Sequence, residues 1–257
     1  MIDISLLPLN DWAQKCLEIA DCAGREIMSV YAKNEFEKCL KADKSPVTEA
    51  DIKANRIIVD ALAELTPNIV IISEEEAEKQ EGHDIFWLVD PLDGTREFIK
   101  RNGEFTVNIA LVVDRIPVLG IITAPALDLA FVGGMGMPPR KRDAQGVWST
   151  IHVDHAPKIV KIAGSKSHGS DLSKNWIEVH YPQAEVVGVG SSLKFCMIAE
   201  GQAHFYPRFG PTMEWDTAAG HAILNAAGGA VVLTDGAPFF YGKSGFLNPH
   251  FIARHFK

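Results

Sequence analysis

Cysteine is scarce in this chain. Cys16, Cys22, Cys39 and Cys196 are the only four in 257 residues, and no two stand in a CxxC spacing. That usage argues against a disulfide framework or a thiolate zinc site and fits reduced thiols in a cytosolic protein. Long apolar runs are missing as well, and no uninterrupted segment approaches the length that crosses a bilayer. The opening MIDISLLPLNDW has an acid at position 3, no basic stretch before its short apolar patch and a proline inside it, so no secretory signal is expected. Positive charge is in deficit: a net charge of -8 argues against a protein that grips nucleic-acid phosphates. The short basic run Arg140, Lys141, Arg142 follows two prolines and reads as a solvated loop. The nine histidines include no HExxH, and most read as surface or ordinary core residues. Neither an internal repeat nor a flexible linker interrupts the chain. Its length allows one catalytic domain, built as two intimate lobes of approximately residues 1–140 and 141–257.

Against these absences stands one concentrated feature. The stretch FWLVDPLDGT, residues 86–95, breaks an apolar run at a proline and sets Asp90 and Asp93 three residues apart, with Gly94 and Thr95 directly behind. Two carboxylates, with the Leu92 carbonyl between them, form a set of hard oxygen donors of the kind magnesium prefers. Gly94 and Thr95 precede a short helix expected over Arg96 to Lys100, so the turn also aims backbone N–H groups outward, where they bind phosphate oxygens. Metal and phosphate together point to phosphoryl chemistry. A plain chain reversal accounts for the same residues, because Asp-Gly and Pro are common turn signals. Counting excludes two rivals. The twelfth residue from Asp90 is Arg101, not the acid an EF-hand loop needs. Phosphatases that form an aspartyl-phosphate place their aspartates one residue apart, whereas two residues intervene here.

Apolar spacing predicts helices over Asp11 to Tyr31 and from Thr48 to Leu65, then a strand over Ile69 to Ile72 that ends on the acids Glu74, Glu75 and Glu76. Strands are expected over Phe105 to Val113 and Val118 to Thr123 as a hairpin, and over Ile159 to Ala163, Glu185 to Val189 and Ala230 to Leu233. Ser192 to Glu200 reads as a helix capped by Ser191 and stopped by Gly201, and Asp216 to Ala227 as a second. The segment GGMGMPP, residues 133–139, reads as a hairpin connection, since two prolines stand where a nucleotide loop needs its helix to begin.

Two carboxylates cannot fill an octahedral shell, so further acids are needed. Glu74, at a strand tip, and Asp216, at the start of a small-residue helix, are the best candidates. Each has a second reading, Glu74 as a solvated acid and Asp216 as a helix cap. Asp51 follows Thr48 at capping-box spacing and is open to both roles.

Taken together, SEEE at 73–76, WLVDPLDGT at 87–95 and WDTAAGHAILNAAGG at 215–229 resemble the inositol monophosphatase and fructose bisphosphatase superfamily. The blocks TREFIKRNGEFTVNIALV at 95–112, GSSLKFCMIAEGQA at 190–203 and YPRFGPTMEWDTAAGH at 206–221 are similar to its nucleotide-acting branch. The resemblance implies an α/β fold layered αβαβα and two or three Mg2+ ions held by Glu74, Asp90, the Leu92 carbonyl, Asp93 and Asp216. It implies that Thr95 and Glu74 orient the attacking water, and that Asp51 supports a further ion. It also implies a phosphorylated nucleotide substrate touched by Glu74, Leu92, Asp93, Gly94, Thr95, His168, Ser191, Lys194, Arg208 and Asp216. Arg208 stands where inositol-acting members carry an acid, and with Lys194 it suits a second phosphate. The expected reaction is hydrolysis of the 3'-phosphate of adenosine 3',5'-bisphosphate, with 3'-phosphoadenylyl sulfate as a further substrate, in sulfur assimilation and nucleotide recycling. Lithium would compete for a magnesium position. The expected setting is the cytoplasm, compatible with peripheral association with the inner membrane. Two other readings stay open: an inositol monophosphatase on the same metals, and an interaction protein that kept the fold without catalysis. The GGMGMPPR segment departs from the resemblance.

Overall fold

The computed structural model describes residues 2–33, 38–40, 46–76, 81–164 and 171–256. In chain order these form α1 (Leu9–Tyr31), β1 (Lys38–Leu40), β2 (Pro46–Thr48), α2 (Glu49–Leu65), β3 (Val70–Ser73), β4 (Ile85–Asp93), α3 (Thr95–Ile99) and β5 (Thr106–Val113). There follow β6 (Ile116–Ala124), β7 (Leu129–Gly134), β8 (Met137–Arg142), β9 (Trp148–Thr150), β10 (Lys161–Gly164), α4 (Asp171–His180) and β11 (Glu185–Gly188). The chain closes with α5 (Leu193–Ala199), β12 (Phe205–Arg208), α6 (Ala218–Ala226), β13 (Ala230–Leu233) and β14 (Phe251–Arg254).

Strands β3 to β9 form a seven-stranded sheet in sequence order, with β3 parallel to β4 and the others antiparallel. Its central strands are buried on both faces, which is why they read as nearly continuous apolar runs. Side chains alternate between faces with period two. Trp87, Val89, Ile109 and Leu111 pack with α1 and α2 on one side, while Phe86, Leu88, Ala110 and Val112 face α5 and α6 on the other. The second sheet runs β11-β10-β12-β14-β13. Its inner residues Tyr206, Val231, Phe251 and Ala253 join the α5 and α6 cluster, while Ile162, Phe205, Val232 and Ile252 pack outward with Trp176 and Ile177 of α4. The layers are therefore helix, sheet, helix, sheet, helix, as the family resemblance implied.

The close approach of α6 to the first sheet depends on Gly120. A Cβ there would lie 2.2 Å from the Ala219 carbonyl oxygen and 2.9 Å from its carbon. Both are backbone atoms that cannot step aside. Gly120→Ala is expected to cost about 3 kcal/mol or more, the upper end for overpacking, and to lower the melting temperature by several degrees. Urea unfolding of the variant checks this, and an unchanged midpoint would show that α6 shifts freely.

Several sequence expectations need correction. The run Arg140 to Arg142 is not a solvated loop but part of β8. Alternation sends Lys141 to Glu200, 2.5 Å away, and Arg142 to two 2.7 Å bonds with Asp21 of α1, so the run joins the sheet to helices on both of its faces. The GGMGMPP segment does turn as a hairpin, between β7 and β8. Helix α4 was not foreseen, because it buries no residue fully and its apolar stripe is short. The α5 N-cap is Ser192, not Ser191; the latter sits at φ 49° and its hydroxyl reaches the Leu193 amide only at 3.5 Å. Asp216 does not begin α6 but ends a 3-10 turn, Glu214–Asp216. Among the described residues Cys16, Cys22 and Cys196 are free thiols, and burial raises the pKa of Cys16 and Cys196.

Candidate active site

The parallel pairing of β3 with β4 aligns Ser73 with Val89, and the Glu74 amide donates to the Val89 carbonyl at 3.1 Å. This pairing sets Glu74 beside Asp90 at the strand ends. A bulge separates Asp90, opposite Asn108, from Asp93, opposite Thr106, so three steps on β4 match two on β5. Pro91, which has no N–H to give the ladder, lies within it. The Leu92 amide instead donates to Asp90 Oδ1 at 3.0 Å. Gly94 follows at φ 92°, a left-handed conformation that glycine adopts at no steric cost, and turns the chain into α3.

Glu74, Asp90 and Asp216 each offer a carboxylate oxygen within 4.8 Å of the other two. They come from β3's tip, β4 and the turn before α6, which is the convergence a hard-cation site requires. The Asp216 turn is held by its own carboxylate, since Oδ2 accepts the Met213 amide at 2.8 Å. Asp93 lies outside this triad. Its Oδ2 accepts the Ser192 amide at 2.5 Å and weaker bonds from Asn108 and Thr106 at 3.4 and 3.5 Å. Burial, reinforced by the charge of Glu74, pushes Asp93 up to about 6 against the opposing pull of Lys194 and the Ser192 amide. Burial, then Asp93 and Glu74, raise Asp216 well above the carboxylate range. Buried carboxylates crowded against one another favour a bound divalent cation, and the all-oxygen donor set suits magnesium or another hard ion. The residues present fit such an ion.

Behind the triad stands a hydroxyl–carboxylate pair. Thr48 and Asp51 form the capping box of α2, with the Thr48 amide and hydroxyl donating to Asp51 Oδ2 at 2.8 and 2.6 Å. Asp51 is 1% exposed, and its Oδ1 accepts from Thr95 Oγ1 at 3.1 Å. Thr95 Oγ1 also lies 3.3 Å from the Leu92 carbonyl. Capping and a place beside the site therefore coexist in Asp51.

A pocket of about 130 Å3 opens next to the carboxylates, lined by Asp93, Gly94, Ser191, Lys194, Arg208 and Asp216 among others. Lys194 is not a solvated helix residue: it is 6% exposed, and its ammonium donates to the Ser191 and Val189 carbonyls at 2.6 and 3.4 Å. Burial lowers it to about 8, opposed by the charge of Asp93. Arg208 donates from Nε to the Gly210 carbonyl and from Nη2 to that of Pro211, at 3.2 and 2.8 Å. His168, the remaining candidate, lies outside the described residues. Sequence reasoning missed Tyr206, Glu97, Thr212 and Thr217, which line the same pocket. A signal existed for Tyr206, which precedes Arg208 by two residues on β12 and so shares its face. Spacing gave none for the others.

Comparison with known proteins follows the same lines. The sequence profile of the inositol monophosphatase family matches residues 10–256. The Escherichia coli K12 protein named 3'(2'),5'-bisphosphate nucleotidase CysQ is 45% identical over 240 residues, covering 91% of this chain and 96% of that protein. Among solved structures, CysQ from Bacteroides thetaiotaomicron superposes with a TM-score of 0.86 at 37% identity, covering 98% of this chain and 99% of that one. The Thermotoga maritima inositol monophosphatase gives 0.78 at 25% identity, over 95% and 92%. No described helix is long and apolar enough to cross a membrane. With its layered fold, its three converging acids and a profile match along nearly its whole length, this chain belongs to the inositol monophosphatase family.

Proposed function

We propose that the chain is a 3'(2'),5'-bisphosphate nucleotidase that hydrolyses the 3'-phosphate of adenosine 3',5'-bisphosphate to AMP and inorganic phosphate. The observation that carries this reading is the adjacency, in one pocket, of the carboxylates Asp93 and Asp216 to the cations Lys194 and Arg208. The reacting phosphate belongs at the acids, through magnesium. The phosphate that is not cleaved needs a cationic partner, and a guanidinium fork is well shaped for it. Relatives bearing the nucleotidase name share more than 90% of this chain's length.

Magnesium bound at Glu74, Asp90, the Leu92 carbonyl, Asp93 and Asp216 would neutralise the ester and make a water more acidic; two or three ions are proposed. The chain's own residues do the rest. Thr95 Oγ1, with its proton directed to Asp51 Oδ1, presents lone pairs that accept a hydrogen bond from the attacking water. Glu74, at the strand tip, orients the same water from the other side. In-line attack forms the new P–O bond as the bond to the ribose 3'-oxygen breaks; the attacking water gives up one proton and the departing 3'-oxygen takes one up from solvent, releasing AMP and inorganic phosphate. Asp51 supports a further ion through the carboxylate that Thr48 holds in place. Gly94 keeps the turn low enough for phosphate to approach, and Ser191 and His168 contribute to the nucleotide side. Lithium competes at a magnesium position, and 3'-phosphoadenylyl sulfate is a second substrate. A cytoplasmic role in sulfur assimilation and nucleotide recycling follows.

Phosphate release measured across adenosine 3',5'-bisphosphate, 3'-phosphoadenylyl sulfate and inositol 1-phosphate, with magnesium, tests the reading. Preference for inositol 1-phosphate would identify an inositol monophosphatase, and inertness toward all three would favour an interaction protein. Arg208→Ala is expected to raise KM for the bisphosphate by roughly 10–100-fold, through loss of a charge-assisted fork, with a smaller change in kcat. An unchanged KM would remove Arg208 from the substrate site.

A further inference from the structure

We infer that Asn248 is a positioning residue for the metal site, acting on Asp216 from below through the two residues that flank its turn. This rests on the metal reading above. The Asn248 side chain is 94% buried, and its Nδ2 lies 2.7 Å from the Met213 carbonyl, 3.1 Å from Thr217 Oγ1 and 3.2 Å from Thr212 Oγ1. Met213 is the residue whose amide holds Asp216 Oδ2, and Thr217 is the residue that follows Asp216. One amide group therefore grips the turn on both sides of the ligand.

The neighbouring hydroxyls leave little slack. Thr217 Oγ1 donates to the Glu214 carbonyl at 3.1 Å and accepts from the Tyr241 hydroxyl at 3.3 Å as well as from Asn248. That uses its donor and both acceptor positions. The backbone joins in: the Asn248 amide donates to the Thr212 carbonyl at 2.9 Å, and Leu247 bridges Met213 in antiparallel fashion. The same segment fixes the turn a second time, because Glu214 accepts the Gly242 and Lys243 amides at 2.8 and 2.9 Å and the Lys243 ammonium at 2.6 Å. Farther along it, the Gly245 amide donates to Glu81 at 2.7 Å. Residues 242–248 thus fix the turn that carries Asp216 at several points.

A cost marks Asn248 as more than a packing residue. Its Oδ1 is buried without a hydrogen-bond partner among the described residues. What the amide supplies against that penalty is donors to the Asp216 turn. Asn248 does not itself line the substrate pocket, but Thr212 and Thr217, which it holds, do; the magnesium dependence, rather than the rate alone, therefore carries the test.

The test separates metal affinity from folding. Thermal unfolding is followed across a MgCl2 titration, without substrate, for the wild type, Asn248→Leu, and Ile162→Val as a core variant in the outer cluster, remote from the site. Asn248→Leu removes the donors and the orphan carbonyl together. Losing the donors to Met213 and Thr217 is expected to lower its melting temperature without magnesium, and it is expected to need about tenfold more magnesium for half of the thermal shift, as loss of an outer-shell partner of a metal ligand commonly does. Ile162→Val is expected to lose thermal stability and keep the wild-type magnesium midpoint. In activity assays the leucine variant recovers toward wild-type kcat as magnesium is raised. Should the leucine variant fail to fold, Asn248→Ser, which keeps a hydroxyl donor, is measured in the same way and is expected to show a smaller rise. A wild-type magnesium midpoint in a folded Asn248 variant overturns the inference. A wild type that shows the magnesium shift but hydrolyses no bisphosphate overturns the proposed substrate and leaves the role of Asn248 standing. A wild type with no magnesium shift overturns both.

Discussion

Asp90→Asn is expected to abolish turnover, by roughly 10^3-fold or more, which is what removal of one central electrostatic group costs a preorganised site. The fold should survive, because an asparagine Oδ1 can still accept the Leu92 amide that Asp90 takes at 3.0 Å. The distinguishing feature is the direction of the stability change. Asp90 is 1% exposed and is crowded with Glu74 and Asp216 inside 4.8 Å. Removing one negative charge from such a group relieves repulsion, so the metal-free variant should melt at or above the wild-type temperature. The same change removes the increase in melting temperature that magnesium gives the wild type. Thermal scans with and without magnesium, beside phosphate-release assays, measure both effects. Near-normal activity at saturating magnesium would show that Asp90 is not a ligand.

The second large effect is expected at the Thr95 and Asp51 pair. Thr95→Ala should lower kcat by roughly 10^2 to 10^3-fold, in the range for a lost proton-handling group, while changing the bisphosphate KM little. Asp51→Asn should do comparable damage, because the Thr95 proton then meets a neutral amide instead of a carboxylate. The two act as one unit across a 3.1 Å hydrogen bond, so the double variant should be scarcely worse than either single one. Additive losses would mean that the two residues work separately, with Asp51 serving mainly as the α2 cap. Asp51→Asn also weakens that cap, since Oδ2 takes both the Thr48 amide and hydroxyl. Melting temperatures therefore accompany the rate measurements, and Thr95→Ala, which leaves the cap intact, carries the kinetic conclusion.

Much of the fold was legible in the chain. Helices α1 and α2 and strands β5, β6 and β13 came close to their expected bounds because each carries a strong period or a continuous apolar run. The failures share a cause. Helix α4 is held by only a few contacts such as Trp176 and Ile177, too short a stripe to stand out. In the basic run that became part of β8, Lys141 and Arg142 each found a carboxylate on an opposite face, pairings between positions 59 and 121 residues apart. The sequence marks Lys194 as a phosphate partner but does not foretell its burial, because nothing local shows that β12 and the Ser191 turn will cover it.

By itself, the sequence determined which chemistry was available. Hard oxygen donors, a glycine that permits the left-handed turn, and the scarcity of thiols and basic charge left phosphate handled by a cation as the economical reading of Asp90 to Thr95. Only the tertiary structure decided which acids share a site. Glu74 meets Asp90 because β3 runs parallel to β4 in register, and Asp216 joins them because a 3-10 turn, gripped by Asn248, halts the chain before α6. Such partners are set by strand pairing for Glu74 and Asp90 and by layer packing across more than a hundred residues for Asp216, and no local spacing encodes either.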